Sequence, residues 1–400
     1  MRKVDGVERP DWTARAEAAG FVFHTMHGEP YWDETTAYAF TLEEIETRLE
    51  DPSTALHALV REAVARAVGD EATMARLDIP EVHMEFVADS WRRKDADLYG
   101  RMDLAYDGNG PAKLLEYNAD TPTSLYEAGH FQWDWLEGAR EAGLIPAGAD
   151  QLNRLQEALT ERFAEICAPG DDVHFAAVAG VEEDYANVET LAYAARDAGL
   201  GAHFVEMGQI GIDPSGRLVD EEARIIGTLF KLYPWEDFLR DEGADALAAS
   251  GTLFLEPPWK ALVSNKGFLA VLWDMFEGHP NLLPTFFADD AVRGSPAFDR
   301  AMAAGHFARG TVRKPLFSRE GAGVRIETPD GALVEASEST AYDRHLQIVQ
   351  AYAPLPDMGG FHPVMGTWIV GGTCVALGIR EDRSRITQDL SRFKPHYIEP

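Results

Sequence analysis

The chain has 400 residues, of which 46% are hydrophobic, so it can bury a sizeable core as about two or three domains or as one enzyme with closely packed lobes. Its 67 acidic against 36 basic residues give a net charge of −31, which repels nucleic acids and anionic membrane surfaces and favours cationic small molecules such as amines. The sequence has no apolar run of roughly eighteen residues and no secretory signal in MRKVDGVERPDW, and its cysteines, Cys167 and Cys374, are too few for a disulfide framework. We therefore expect a cytoplasmic protein.

The predicted elements, taken in chain order, describe an α/β fold that leans towards α+β. The first hundred residues are largely helical in pattern, because LEEIETRLE and ALHALVREAVARAV place apolar residues three and four apart. A β-hairpin is predicted over residues 101–120 around the turn sequence GNGP. Residues 151–168 predict a helix. The buried strand HFAAVAG and the helix ANVETLAYAARDAGL then predict an α/β unit over residues 171–240.

The second part of the chain has a different composition. After Pro257 and Pro258 the segment SNKGFLAVLWDMF predicts a helix, and strands dominate from residue 311 in TVRKPLF, GVRIE, TWIVGG and TCVALGIR. We place a boundary between Ala248 and Pro258. The sequence therefore predicts two regions with interleaved lobes, residues 1–250 and residues 251–400.

The predicted hairpin carries the first chemistry-bearing residues. Alternate residues of a strand point to one face, so Arg101 and Asp103 share a face of one strand, and Glu116 and Asn118 share a face of the other. If those faces coincide, the four side chains converge. Mg²⁺ prefers oxygen ligands, which Asp103, Glu116 and the Asn118 carbonyl oxygen supply, and Arg101 can clamp an anionic oxygen beside the metal. The alternative is an ordinary amphipathic hairpin with its polar face in water.

Two later segments have the composition of phosphate-binding sites. In VRKPLFSREGAGVRI, Lys314 lies on a predicted strand ahead of a glycine-rich loop whose backbone N–H groups can approach phosphate oxygens. A surface hairpin with a glycine turn is the alternative. In GIREDRSRITQD, three arginines within six residues of an acidic chain suit phosphate clamping, whereas a salt-bridged surface loop is the alternative: Arg380, Arg383 and Arg385.

Together these motifs resemble the glutathionylspermidine synthase family of ATP-grasp-like ligases. The likeness covers most of the chain and is clearest in GRMDLAYDG, KLLEYNADTPTSLYEAG, VRKPLFSREGAGV and GIREDRSRITQDLSRFKPH. It points to the stand-alone acid–amine ligase branch, which has no amidase domain. The resemblance implies a substrate- and metal-binding region over residues 1–250 and an ATP-grasp nucleotide-binding region with a lid loop over residues 251–400.

The resemblance also implies roles for individual residues. Arg101 is similar to the family's phosphate-binding arginine, and Arg380 is similar to the lid-loop arginine over the transferring phosphate. The residues that match the metal ligands are Asp103, Glu116 and Asn118. Those that match the ATP-binding residues are Lys266, Lys314, Gln350, Ala351, Tyr352, Ala353, Arg385, Ile386 and Thr387. Those that match the substrate-binding residues are Ser124 for a peptide and the acidic pair Glu182 and Glu183 for a polyamine.

The implied reaction is ATP- and Mg²⁺-dependent. A carboxylic acid, such as a peptide, is phosphorylated to an acyl phosphate, which an amine, such as a polyamine, then attacks to form an amide. Leu232 stands where the family's spermidine enzymes carry threonine, so the resemblance supports the ligase mechanism more strongly than glutathione and spermidine as the substrates. Two alternatives remain: an ATP-dependent phosphotransferase or kinase, and a non-catalytic nucleotide- or amine-binding protein.

Overall fold

The computed structural model describes residues 1–337, 339, 342, 344–388 and 391–400, with the side chain of Glu182 outside this description. Its α-helices are α1 Trp12–Ala18, α2 Leu42–Ile45, α3 Asp51–Ala67, α4 Glu71–Arg76, α5 Met84–Arg92, α6 Gln132–Glu141, α7 Leu155–Ile166, α8 Glu182–Asp197, α9 Trp235–Phe238, α10 Lys260–Val263, α11 Phe268–Met275, α12 Ala288–Arg293 and α13 Pro296–Ala303. Short 3₁₀ or π turns cover Val22–His24, Glu46–Glu50, Glu81–His83, Glu127–Phe131, Met207–Gln209 and Ala244–Ala249.

The strands are β1 Arg2–Asp5, β2 Thr25–Met26, β3 Glu29–Pro30, β4 Thr36–Phe40, β5 Tyr99–Ala105, β6 Lys113–Asn118, β7 Asp172–Ala177, β8 Gly201–Glu206, β9 Gly211–Ile212, β10 Leu218–Val219, β11 Thr228–Leu232, β12 Leu253–Leu255, β13 Thr285–Phe287, β14 Thr311–Pro315, β15 Arg325–Glu327, β16 Leu333–Ala336, β17 Gln347–Ala351, β18 His362–Val370, β19 Thr373–Asp382, β20 Arg392–Lys394 and β21 His396–Ile398.

Three sheets position the candidate site. The parallel sheet has the order β12-β11-β7-β8, the hairpin sheet has the antiparallel order β20-β19-β18-β5-β6, and the loop sheet has the antiparallel order β13-β17-β14-β15-β16. A smaller sheet joins β1, β4 and β21, and two short hairpins pair β2 with β3 and β9 with β10. The mixture of helices with parallel and antiparallel sheets confirms the predicted fold class.

The predicted α/β unit forms the centre of the parallel sheet. Strand β7 is an apolar run that is buried after its first residue, as expected for a strand covered on both faces. Helix α8 follows it and is closed by Gly199, whose φ of 81° is the left-handed conformation that favours glycine after a helix. The carboxyl ends of β7 and β11 lie side by side, because the two strands are parallel neighbours.

The N-terminal hundred residues are only partly helical. Helices fill much of residues 42–92, and α3 buries Leu56, Val60 and Val64 at helical spacing. Before residue 41 the chain forms helix α1 and short strands, of which β4 pairs with β1 on one side and with β21, from the other end of the chain, on the other. Within the described residues, no helix combines the length and the apolarity that crossing a membrane requires.

Candidate functional site

A cavity of about 830 Å³ lies where the hairpin sheet, the parallel sheet and the loop sheet meet. We call it the site cavity. Every predicted site residue other than Glu182 lines it: Arg101, Asp103, Glu116, Asn118, Ser124, Glu183, Lys266, Lys314, Gln350, Ala351, Tyr352, Ala353, Arg380, Arg385, Ile386 and Thr387. The fold therefore brings together residues that are spread over almost three hundred positions of the sequence.

The floor of the site cavity is the predicted hairpin. Strands β5 and β6 pair antiparallel, with Arg101 opposite Asn118 and Asp103 opposite Glu116, so the two polar faces coincide. Arg101 Nε donates to Asp103 Oδ1 at 2.7 Å. Asn118 Nδ2 lies 3.3 Å from Asp103 Oδ2 and 3.2 Å from Glu116 Oε1. Two carboxylates thus meet around one side-chain amide.

Cationic side chains from other elements surround these carboxylates. Lys266 Nζ lies 3.1 Å from Glu116 Oε2, and Arg380 Nη2 lies 2.8 Å from Asp103 Oδ2. Lys314 Nζ donates to the backbone oxygen of Leu115 at 2.8 Å. Burial works to raise the pKa of Glu116, but the two lysines outweigh it and lower the pKa to about 2. Burial lowers the pKa of Lys314 to about 8. The floor is therefore a buried, charge-dense place suited to a polyphosphate.

The donor set fits Mg²⁺. Within the described ranges no cluster of three or more His, Cys, Asp or Glu side chains could hold a metal, so a soft or nitrogen-rich site is not built here. Asp103 and Glu116 instead converge on Asn118, and a half-turn of the Asn118 amide would replace Nδ2 by Oδ1 between the two carboxylates. Two carboxylates and one amide oxygen are hard ligands of the kind that Mg²⁺ takes beside substrate phosphates.

The glycine loop, residues 316–323, forms one wall of the cavity. Lys266 Nζ donates to the Ser318 backbone oxygen at 2.7 Å. Gly321 has a φ of 68°, and a Cβ there would lie 2.5 Å from Ile386 Cγ2 and 2.6 Å from the Thr387 backbone oxygen. Only glycine fits this close approach, so the loop packs directly on the residues that follow β19.

An apolar slot lies beside the glycine loop. Val312, Val324, Ile326 and Ile386 form a buried cluster against which Tyr352 packs. These side chains line the cavity next to the predicted hinge residues 350–353. A flat apolar slot with backbone polar groups at its edge suits a nucleotide base. The slot was not predicted, because its members come from two strands, β14 and β15, and from three segments outside strands, and each is an ordinary core residue in its local sequence.

One prediction about Arg380 is wrong. It was assigned to a lid loop, whereas it lies inside β19, opposite Val364 of β18 and Phe393 of β20. The strand pattern TCVALGIR already reaches Arg380, so the lid-loop role implied by the resemblance conflicts with the strand prediction; the contact of Arg380 with Asp103 was not predictable, because it depends on β5, far away in sequence. The loop begins only after Asp382 and carries Arg385, Ile386 and Thr387. Arg380 is therefore a fixed part of the cavity floor.

The far end of the site cavity is acidic. Glu183, Asp184 and Glu236, which we call the acidic end, line it at the carboxyl ends of β7 and β11. Glu182 begins helix α8, and its side chain lies outside the described part of the structure. Burial raises the pKa of both Asp184 and Glu236. Carboxylates in this setting favour a cationic partner. Asp184 and Glu236 were not predicted, although their neighbours Glu183 and Leu232 were singled out.

Two further groups near Ser124 were missed by the sequence analysis. Ser124 has a φ of 74°, unusual for a residue other than glycine, and its Oγ lies 3.1 Å from the hydroxyl of Tyr31, which lines the cavity. Glu127 is fully buried and faces the hydroxyl of Tyr31. Burial raises the pKa of Glu127. No local signal reveals this group, because Tyr31 and Ser124 are 93 positions apart.

Asp120, two residues after Asn118, has a structural role. Its Oδ1 accepts from Lys231 Nζ at 2.8 Å, and its Oδ2 accepts from the Trp235 backbone N–H at 2.8 Å. Asp120 and Lys231 are almost completely buried; their ion pair joins the end of the hairpin to β11, and the Trp235 hydrogen bond joins it to the start of α9. This contact fixes the hairpin relative to the acidic end of the cavity.

Comparisons with protein families and with individual proteins point to the same family. The family described as "Glutathionylspermidine synthase preATP-grasp" matches residues 3–399. The chain is 35% identical over 412 residues to the "Putative acid--amine ligase" of Haemophilus influenzae, with 100% of each chain covered. It is 28% identical to the trypanothione synthetase of Crithidia fasciculata, covering 84% of this chain and 52% of that protein. It is 26% identical to the bifunctional glutathionylspermidine synthetase/amidase of Escherichia coli, covering 90% and 58%.

A solved structure supports the fold. The glutathione synthetase-like effector of Globodera pallida, in its apo form, superimposes with a TM-score of 0.53 at 12% identity, and the superposition covers 99% of each chain. At this level of identity the likeness concerns the fold alone. The chain spans only about half of the trypanothione synthetase and of the bifunctional synthetase/amidase, so their complete activities extend beyond the region that matches.

Proposed function

This chain belongs to the glutathionylspermidine synthase family and is an ATP-dependent carbon–nitrogen ligase of the acid–amine type, and we propose that it forms an amide through an acyl phosphate. The observation that carries this proposal is the meeting of Asp103, Glu116 and Asn118 with four cationic side chains in one cavity that ends in carboxylates. One end suits a polyphosphate and the other suits an amine. A carboxylic acid between them would be in contact with both.

In the first step the substrate carboxylate attacks the γ-phosphorus of ATP. A bond forms between the carboxylate oxygen and phosphorus, the bond from phosphorus to the β,γ-bridging oxygen breaks, and ADP leaves with that electron pair. Charge on the transferring phosphoryl oxygens is stabilised by Arg101, Lys314 and Arg380, which are already held in place by Asp103 and the Leu115 carbonyl. Asp103, Glu116 and Asn118 would hold Mg²⁺, which neutralises phosphate charge when bound.

In the second step the attacking amine nitrogen, in its neutral form, adds to the acyl carbon. The carbon–nitrogen bond forms, the carbon–oxygen bond to phosphate breaks, and inorganic phosphate takes the electron pair and the proton that the nitrogen loses. The acidic pair Glu182 and Glu183 would receive the cationic amine at the end of β7, and Ser124 would contact the acid. No covalent enzyme intermediate is needed. Both cysteines are buried, and burial raises their pKa values.

An amine-by-acid screen tests the proposal, with ADP release and product mass as the two measurements. A ligase releases one ADP per amide, and with an ¹⁸O-labelled carboxylate one label appears in the inorganic phosphate, as the acyl phosphate requires. ADP release with a phosphorylated acceptor and no amide would indicate a phosphotransferase instead. Binding of ATP or amine with neither product, across a broad screen, would indicate a binding protein.

A further inference from the structure

The side chain of Arg319 links the two ends of the site cavity. Arg319 lies in the glycine loop, yet its Nη2 lies 3.5 Å from Glu236 Oε1 and 3.8 Å from Asp237 Oδ2, both on helix α9. The guanidinium is 47% exposed, so this is a loose contact and not a buried structural pair. Both Arg319 and Glu236 line the cavity. A loop at the nucleotide end is thus tied to a carboxylate at the acidic end.

The two sides of this contact are anchored differently. Helix α9 is firmly anchored. Its first residue, Trp235, is fully buried, and the Trp235 backbone N–H donates to the carboxylate of Asp120, which also accepts from Lys231. The glycine loop is held on both sides of Arg319: before it, the Leu316 backbone N–H donates to the Leu346 oxygen and Lys266 Nζ donates to the Ser318 oxygen, and after it Gly321 packs on residues 386 and 387. Arg319 itself is exposed. It therefore adds an anchor to helix α9 from the exposed middle of the loop.

The charge at the acidic end makes this anchor sensitive to the amine. Burial raises the pKa of Glu236 and of Asp184, and the positive charge of Arg319 opposes the rise in both. The Arg319 guanidinium is thus a cation that both carboxylates face in this structure. An ammonium group that enters the acidic end needs the same carboxylate oxygen. Two monocations that need one partner bind it in competition, and such coupling acts equally in both directions.

We propose that Arg319 is a positioning residue that tethers the glycine loop to Glu236 and competes with the acceptor amine for that carboxylate. This rests on the proposed function in placing the amine at the acidic end. The tether orders the loop for ATP, because a loop held in place loses less freedom when a ligand binds. The amine releases the tether when it occupies Glu236. The nucleotide and amine subsites are thereby coupled through one side chain.

The kinetic test is Arg319→Gln with Arg325→Gln as the matched control. Arg325 lies on the neighbouring strand β15, is 53% exposed and contacts only Glu327 at 4.0 Å among the ion pairs of the described residues. In R319Q the KM for ATP should rise about two- to fivefold while the KM for the amine falls by a similar factor, as expected for losing an exposed ion pair. R325Q should change neither constant. In a Glu236→Gln background the R319Q change should no longer alter the KM for ATP. Both constants rising together in R319Q would overturn the proposal, because that is the result of general damage.

A second measurement needs no turnover, so it separates the tether from the proposed ligase activity. Hydrogen exchange of the backbone amides in residues 316–323 should be faster in R319Q than in the wild type. Addition of 1,4-diaminobutane should speed the exchange of this segment in the wild type and leave R319Q unchanged. If the loop exchanges at the same rate in both proteins, the tether does not exist, whatever the substrate screen finds. Faster exchange in R319Q with no amide product would retain the tether and reject the ligase reaction.

Discussion

Glu116 is the carboxylate on which both cavity lysines act. Lys266 Nζ lies 3.1 Å from it, and the combined charge of Lys266 and Lys314 keeps its pKa low in spite of burial. The carboxylate is therefore ionised at neutral pH and balances two buried cations. Removing its charge leaves these cations without compensation and also removes a proposed metal ligand.

Replacing Glu116 by Gln should therefore abolish turnover, with a loss of about a hundredfold or more, as found when a charge-stabilising group is removed from an active site. The side chain keeps its shape, so the far-ultraviolet circular dichroism spectrum should not change. Asp107→Asn is the matched control, since Asp107 lies on the exposed turn of the same hairpin, where its carboxylate accepts from the Asn109 backbone N–H and its backbone oxygen accepts from Asn109 Nδ2. Substantial Mg²⁺-dependent ligation by E116Q would rule out the hairpin metal site.

Lys314 gives the site a specific pH dependence. Burial lowers its pKa to about 8, against the opposing effect of Glu116, so the folded protein holds the charged form below about pH 8 and loses it above. ATP phosphates bind the charged form. The KM for ATP should therefore rise severalfold between about pH 7 and pH 9, because the fraction of protein with a charged Lys314 falls over this range.

The Lys314→Arg variant provides the test, because arginine stays protonated throughout this range. Its KM for ATP should be flat from pH 7 to pH 9, even if the absolute value is higher than in the wild type. An identical rise with pH in both proteins would assign the titration to another group.

At the scale of single elements, the hairpin was predictable and the contacts of Arg380 were not. Alternating residues around a GNGP turn determine which side chains of β5 and β6 share a face. The β-bulge that shifts the register between Asp103 and Leu104 was not predicted. The α/β unit was predictable for the same reason, because β7 and α8 have clear periodicity. By contrast, Glu127 and Glu236 join the site only through contacts distant in sequence. Local periodicity carries no information about such contacts.

The glycine loop offers a test of close packing. Gly321→Ala places a Cβ 2.5 Å from Ile386 Cγ2 and 2.6 Å from the Thr387 backbone oxygen, so the loop must move away from the proposed nucleotide contacts. The KM for ATP should rise, about tenfold, and the Tm should fall. Gly331→Ala is the control: its φ is 83° but its Cβ meets nothing within 4 Å, so it carries only the backbone strain. Equal effects of the two variants on ATP binding would show that the packing on residue 386 is unimportant.

A double substitution at the start of helix α8 distinguishes two possible roles of its acidic residues, which are binding of the amine and stabilisation of the helix. Acidic residues in a first helical turn interact favourably with the helix dipole, so Glu182 and Glu183 have a structural explanation as well as a functional one. Replacing both by Gln should raise the KM for the amine about tenfold or more if they receive the amine, while the KM for ATP barely moves. Unchanged constants with a lower Tm would make the pair a helix-stabilising feature only.

At the scale of the whole molecule, the predicted regions 1–250 and 251–400 share their sheets. The hairpin sheet takes β5 and β6 from the first region and β18, β19 and β20 from the second. Strand β21 completes the small sheet with β4, and β12 completes the parallel sheet. The buried ion pair between Glu256 and Lys260 also contacts the first region. Glu256 accepts from the Tyr99 backbone N–H at 2.9 Å, and Lys260 donates to the Tyr99 oxygen at 2.6 Å. The start of β5 is thus held by residues beyond position 250.

The two regions should therefore not fold separately. In a fragment of residues 1–250, β5 would lose its six paired residues on β18, and its wholly buried side chains would face water. An exposed apolar strand edge of this kind promotes aggregation. We expect the fragment to be insoluble, the full chain to unfold in one cooperative calorimetric transition, and co-expression with residues 251–400 to restore solubility. The co-expression is the control for truncation itself, because it returns the missing strands without restoring the covalent link. A soluble 1–250 fragment with its own cooperative transition would show instead that the first region is an independent domain.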